Sequence, residues 1–373
     1  MAIPTNKIFL RSPYWVNVAS ANLDYAIVDV RVWTGDITTD RPSEPTYKQR
    51  ATAFDEKTSF NISDLARDFV EVGFNGSLDS NAVWVEYQVT EVDESGSETV
   101  GSAVQLAGFD GFSYFEDNFN WQYDGDIWLT SDTITAAQET TMLIPVNTEY
   151  LTGWLKYYTP GNPLGPTYIL FDSAAGLSPT DDSNDLIDYI SNTDGSNYAT
   201  RIVFQFDNGT TTYSRTVDIK YAPCSKWGVN NVYFVNKLGA VQNVHFMGKS
   251  NVGINTTKDE FTRNLIENGT YDSNRHQIYT LNKNGKITLN MNTGWVLEED
   301  GDTFTEMMLS EQVWILLDKD TLGIGWSGKT SSQFVLPVQI ESSEMGIKNR
   351  INDKLINYNF SFVAAADRVN TVK

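Results

Sequence analysis

Tyr25-Ala26-Ile27-Val28-Asp29-Val30-Arg31-Val32-Trp33 sets Ala26, Val28, Val30 and Val32 on one parity and Tyr25, Ile27, Asp29, Arg31 and Trp33 on the other. Alternate side chains of an extended backbone point to opposite faces, so the stretch predicts a β-strand with one apolar face against a core. The same period returns in Val83-Trp84-Val85-Glu86-Tyr87-Gln88-Val89. That strand runs through the acidic, Gly-containing Glu91 to Glu98 and comes back as a return strand over Thr99 to Leu106, the signature of a long-looped hairpin. Asn61 to Val70 reads as one short helix capped by Ser63, with Leu65, Ala66, Phe69 and Val70 on one side.

Farther along, strands are expected at Asp126 to Leu129, Met142 to Val146, Gly153 to Tyr158 and Thr167 to Phe171, with a rigid turn over Pro160 to Pro166. Ile202 to Phe206 meets Thr212 to Ile219 across Asp207-Asn208-Gly209, where Asn-Gly supplies the positive φ angles of a tight hairpin. The acidic Asp181 to Asn197 reads as an exposed excursion. Asn231 to Asn236 and Val241 to Phe246 form two strands around Lys237-Leu238-Gly239. Lys286 to Met291, Gln312 to Leu317, Phe334 to Ile340 and Leu355 to Val363 alternate as strands, and Glu298 to Leu309 reads as a helix entered through acidic residues that suit its positive end.

The expected fold class is therefore mainly β, multidomain, with β-sandwich-like modules and a few short helices. Residues 1–107 fit a β-sandwich of immunoglobulin outline, 108–222 a middle β-rich domain, and 223–373 a C-terminal β-rich domain with short helices. No sustained internal repeat is present.

Composition bears on function. The 373 residues include two histidines and one cysteine against 10 Trp, 18 Tyr and 19 Phe. Groups that titrate or attack near neutral pH are scarce, whereas large aromatic surfaces are what cores and interfaces consume. His245 and His276 lie 31 positions apart with no ligand-type spacing, and no Gly-x-Ser-x-Gly elbow is present, so neither a metal centre nor a serine hydrolase is supported and no catalytic residue is assigned. Asp124-Gly125-Asp126 and Asp181 to Asp185 offer oxygen ligands without the twelve-residue calcium loop and read as solvated acidic loops. No glycine-rich phosphate loop precedes a helix. The expectation is a non-enzymatic chain with no cofactor and no metal. Cys224 reads as a small buried hydrophobe.

With 27 basic against 48 acidic side chains, the formal net charge of -21 repels phosphate backbones and anionic lipid. Nucleic acid is not an expected partner, and no apolar run is long enough for membrane insertion. Met1 to Lys7 lacks a basic head followed by an apolar stretch, so synthesis in a cytoplasm is expected.

Two glycine-interrupted segments stand apart. Gly108-Phe109-Asp110-Gly111-Phe112-Ser113-Tyr114-Phe115 reads as an aromatic junction, and Thr321 to Gly328 sets Ile324 and Trp326 on a flexible loop. Phe109, Phe112, Tyr114, Phe115, Ile324 and Trp326 are candidate interface residues. Trp314, amid Val, Ile and Leu, reads either as core or as part of a strand edge through which subunits pair.

Val235-Asn236-Lys237-Leu238-Gly239-Ala240, Asn292-Thr293-Gly294-Trp295-Val296, Leu309-Ser310-Glu311, Asn352 to Tyr358 and the opening Arg11-Ser12-Pro13-Tyr14-Trp15-Val16 together resemble virion structural proteins of tailed bacteriophages, particularly those infecting Bacteroidetes hosts. The likeness touches both ends of the chain and carries no catalytic fingerprint. It implies a part of the tail, neck or fibre apparatus, made in the bacterial host cytoplasm and residing in the virion as a symmetric homo-oligomer beside other virion structural proteins. A carbohydrate-binding or receptor-binding adhesin that stacks exposed aromatics on a host-surface glycan, and a tail-associated glycosidase with paired carboxylates, are the competing expectations.

Overall fold

The computed structural model describes residues 7–35, 37–70, 72–74, 78–80, 82–121, 130–137, 140–147, 152–158, 167–172, 187–193, 201–207, 212–222, 226–266, 269–318, 333–342 and 355–367. The fold is mainly β, and the described residues hold two short α-helices. By its internal contacts the chain divides into two compact units. Met1–Cys224, Tyr233–His245 and Glu299–Glu311 form the first, and Ser225–Val232, Phe246–Glu298 and Gln312–Lys373 the second.

The first unit opens with β1 (Lys7–Phe9), β2 (Trp15–Ala19), β3 (Leu23–Trp33), β4 (Tyr47–Thr52), β5 (Lys57–Asn61), α1 (Ser63–Arg67), β6 (Val72–Phe74), β7 (Leu78–Ser80), β8 (Val83–Asp93), β9 (Glu98–Val100) and β10 (Val104–Phe109). A six-stranded sheet runs β1-β10-β8-β3-β4 with β9 attached to β8, while β2 pairs β5 and β6 pairs β7. Ala26, Val28, Val30 and Val32 are all buried, as the parity of β3 predicts. They meet Val16 and Val18 of β2, Phe60 of β5 and Ala66 of α1 in one core, with Leu65, Phe69 and Val70 packed against it. The module is sandwich-like. Its second layer is a strand pair plus a helical turn, where the immunoglobulin outline calls for a second full sheet.

Two local expectations need correction. Ser63 does not cap α1, because the N-cap is Ile62 and the Ser63 hydroxyl donates instead to Asn61 Oδ1 at 2.8 Å. Both oxygens also accept from the backbone N–H of Tyr14, so the hydroxyl is spent fastening the chain that leads into β2. The return strand over Thr99 to Leu106 is interrupted between β9 and β10 at residues 101–103. There the Gly101 N–H donates to the Val89 carbonyl, and a Cβ at this position would stand 3.2 Å from that oxygen.

The middle of the unit adds β11 (Thr133–Ala137), β12 (Thr141–Asn147), β13 (Thr152–Tyr158), β14 (Thr167–Asp172), β15 (Ile187–Thr193), β16 (Arg201–Asp207) and β17 (Thr212–Ala222). They form a sheet in the order β11-β17-β16-β13-β14 and the pair β12-β15. The hairpin of β16 and β17 forms as expected, with Asp207 opposite Thr212. The excursion expected over Asp181 to Asn197 instead contains β15, whose Ile187 to Thr193 pair with Asn147 to Thr141. Ile187, Tyr189 and Ile190 among polar residues gave too weak a period to outweigh the acidic flanks. The turn residues Asn208-Gly209, the Pro160 to Pro166 turn, the strand expected at Asp126 to Leu129 and Cys224 lie outside the described residues.

Next come β18 (Asn230–Val235) and β19 (Val241–Phe246), joined by the turn through Lys237-Leu238-Gly239. The second unit then holds β20 (Asn251–Thr262), β21 (Ile278–Asn292) and β22 (Val296–Leu297). The helix α2 (Gly301–Leu309) belongs to the first unit, and β23 (Val313–Asp318), β24 (Gln333–Ile340), β25 (Leu355–Ile356) and β26 (Asn359–Ala364) return to the second. Within the second unit the strands lie in the order β23-β24-β26-β21-β20, and β22 pairs β25. Phe246 meets Phe360 and Phe362 edge-to-face, each at 5.7 Å, inside that unit's core.

Candidate functional site

The aromatic junction begins where β10 ends. Phe109 is 1% exposed and closes a cluster with Phe9, Trp33, Ile37, Trp84 and Leu238, so it is core and offers no surface to a partner. Beyond it the chain turns sharply. The Arg11 guanidinium grips the Asp110 carboxylate through two bonds of 2.9 and 3.0 Å, and the Arg11 N–H donates to the Gly111 carbonyl. Both members of that ion pair are nearly buried. Gly111 must be glycine, because a Cβ there would run into the Phe9 ring and the Lys237 carbonyl.

Phe112 and Tyr114 are half-buried and meet edge-to-face at 5.8 Å. Lys237 organises the next stretch of chain. Its ammonium lies 2.7 Å from Asp117 Oδ2, 4.1 Å from the Tyr114 ring centre and 4.4 Å from that of Trp121, so one cation is shared by a carboxylate and two aromatic faces. The Lys237 carbonyl accepts from the Phe112 N–H, and its own N–H donates to Glu306 Oε2 on α2. Asp117 Oδ2 also accepts from the Tyr114 N–H at 2.8 Å and so locks the short 3-10 turn Phe115–Asp117. At the far end Asn120, at φ 55°, pairs through its side-chain amide with both backbone polar groups of Trp15.

The electrostatics agree with the packing. The hydrogen bond from Lys237 holds the Asp117 carboxyl below the usual carboxylate range. Burial, followed by the negative fields of Glu306, Asp302 and Asp117, pushes the Tyr114 phenol up to about 12, so it stays neutral. Burial likewise pushes the Glu306 carboxyl up. The result is a loop fixed at both ends that holds Phe115 at 96% exposure and Phe119 at 62%. Among the described residues this arrangement is suited to presenting apolar surface, and its polar groups are consumed in holding it still. Lys237→Met should keep the side chain's length and lose the charge. It is expected to cost about 2 kcal/mol in thermal or denaturant unfolding and to raise amide exchange across 112–118.

The other expected residues separate. Trp314 is 8% exposed between buried Val313 and Ile315 of β23, which decides for core over a pairing edge. Ile324 and Trp326 lie outside the described residues, as do Asp124 to Asp126 and Asp181 to Asp185. His245 is buried, and its Nδ1 accepts from the Ala137 N–H at 3.1 Å, a structural use. No group of three metal-ligating side chains occurs among the described residues, and no helix among them is long and apolar enough to cross a membrane.

Reading the sequence missed Phe119 and the part played by Lys237. Phe115-x-x-x-Phe119 around Glu116-Asp117 was the available signal for the first. Nothing local could reveal a partnership 120 residues apart. No protein-family model matches the chain, and no curated protein matches it.

Proposed function

We propose that this chain is a structural subunit of a tailed bacteriophage particle, assembling with copies of itself and with adjoining virion proteins through apolar side chains held out on pre-ordered loops. The observation that carries the reading is the pair Phe115 and Phe119, exposed on a loop that Lys237, Asp117, Arg11 and Asn120 immobilise. Exposed aromatics on a rigid support lose little conformational entropy on docking, the property that makes such residues binding anchors. The resemblance of the opening and of the last third of the chain to virion structural proteins supplies the biological setting. The formal charge of -21 keeps subunits apart until complementary surfaces meet.

Phe115→Asp with Phe119→Asp is expected to leave stability within about 0.5 kcal/mol of the parent, because both side chains are already in water. The same variant should fail to enter particles. Mass spectrometry of intact virions is the test, and a parent chain absent from particles overturns the proposal. A carbohydrate-binding role is the second reading, favoured by Trp295 at 65% exposure. Glycan-array binding that disappears with Trp295→Ala would establish it.

A further inference from the structure

The ribbon of β20 and β21 in the second unit is only partly supported by the sheet that it joins. Its base is held, because Thr288 to Asn292 pair with Val363 to Asn359 of β26. Beyond that base, Asn255 to Thr262 and Lys286 to Ile278 pair only with each other among the described residues. Eight residues of β-strand extend roughly 25 Å. An isolated two-stranded ribbon has no second layer in which to bury side chains and is at best marginally stable in water.

Its middle is polar, with Thr256, Thr257, Lys258, Asp259, Asn282, Lys283 and Asn284. The distal part is not. Phe261 stacks on Tyr279 at 5.6 Å on one face, Ile278 lies on the other, and Ile266 and Tyr271 stand exposed in the connecting loop. Leu281 is the extra residue at the register shift opposite Asp259/Glu260 and is 75% exposed. A solvated arm gains nothing from this distribution. It is the distribution of an anchor.

Charge identifies what the anchor meets. Residues 251–290 carry five Lys and Arg against four Asp and Glu, so the remaining chain carries 22 against 44. A near-neutral, slightly basic arm is thus attached to a strongly acidic body, and the nearest acidic body of matching composition in an assembly of one chain is the next copy. Lys258, Asp259 and Glu260 along the open edge of β20 discourage simple strand addition, leaving side-chain docking as the mode. We propose that the β20–β21 ribbon is an assembly arm whose apolar end docks on the acidic body of a second copy of this chain. Resting as it does on the assembly reading above, the contact is heterologous, arm to body, so its repetition closes a ring or extends a stack.

Sedimentation of the full chain over a range of concentrations, at about 50 mM and about 500 mM salt, tests the arm apart from the particle. The parent should self-associate, more weakly at high salt. Tyr271→Asp with Leu281→Asp should weaken association about 10- to 100-fold at unchanged thermal stability, since both side chains are exposed. Arg263→Glu with Lys283→Glu should weaken it chiefly at low salt. A parent that stays monomeric throughout, or arm variants that associate as the parent does, overturns the proposal. Failure of the virion reading has a different signature, namely arm-dependent association by a chain that is absent from particles.

Discussion

Gly239→Ala is expected to lower stability by about 4 kcal/mol, against about 1 kcal/mol for Gly96→Ala, although both glycines have φ of +81°. The comparison separates two costs. At Gly96 a new Cβ would meet nothing within 4 Å, so the only cost is the left-handed backbone that an L side chain resists. At Gly239 the same methyl would stand 2.8 Å from the backbone nitrogens of both Asp110 and Gly111, closer than a Cβ approaches such atoms, and neither is the end of a flexible side chain. The turn is also fixed from its own side. Asn236 Oδ1 accepts from the N–H groups of Leu238 and Ala240, and the Gly239 N–H donates to the Asn236 carbonyl. Neither strand of the crossing can give way without breaking the Phe112 to Lys237 backbone bond that begins the exposed loop. Denaturant unfolding of the two variants checks the prediction, and equal losses would show that the crossing of the 237–239 turn over 110–112 is looser than the geometry states.

That crossing illustrates where the sequence was legible and where it was not. Parity placed Ala26, Val28, Val30 and Val32 in the core because one face of β3 is buried and the hydrophobic pattern records burial directly. The same logic failed for Asn251 to Thr262, a strand with no buried face, whose alternation therefore carries no apolar record; the base of β21 was visible from Lys286 onward because only there does the sheet gain a buried side. Phe109 reads as an interface candidate and Trp314 as either core or pairing edge, because glycine neighbours and a continuous apolar run suit a core as well as an interface, and three-dimensional packing decides for core in both. Phe115 carried the same local signal and faces solvent. What separates it from Phe109 is the Lys237 clasp, a long-range contact that no local period encodes. Ser63 shows the complementary failure, a residue of the right type at a helix start whose hydroxyl was claimed by a neighbouring segment.

Glu86→Gln is expected to cost about 3–4 kcal/mol, because it breaks a buried ion network from its centre. Register explains the network. Glu86 of β8 lies directly opposite Arg31 of β3 on one side and Gln105 of β10 on the other, so three polar side chains share one row across the sheet. Arg41 reaches the same carboxylate from the loop after β3, giving bonds of 2.9 and 2.5 Å beside those of 3.0 Å from Arg31 and 3.2 Å from Gln105. Burial by itself would raise the Glu86 carboxyl, yet the hydrogen bonds and charge of Arg41, with help from Gln105 and Arg31, outweigh it and hold the group below the usual glutamate range. This fixes the sign of the pH dependence. A depressed carboxyl contributes its stability in full above the ordinary glutamate value of about 4.3 and loses it as pH falls through the lower folded value. The gap between parent and Glu86→Gln should therefore be widest near neutrality and narrow as the solution is acidified below about pH 4. Removing the guanidinium as well, in Glu86→Leu with Arg31→Leu, should recover part of the loss, since no unmatched charge then remains inside the sheet and Arg41 can turn to water. Unfolding curves from about pH 3 to about pH 7 for the three proteins decide the matter, and a gap that widens on acidification would mean that Glu86 is protonated in the folded chain.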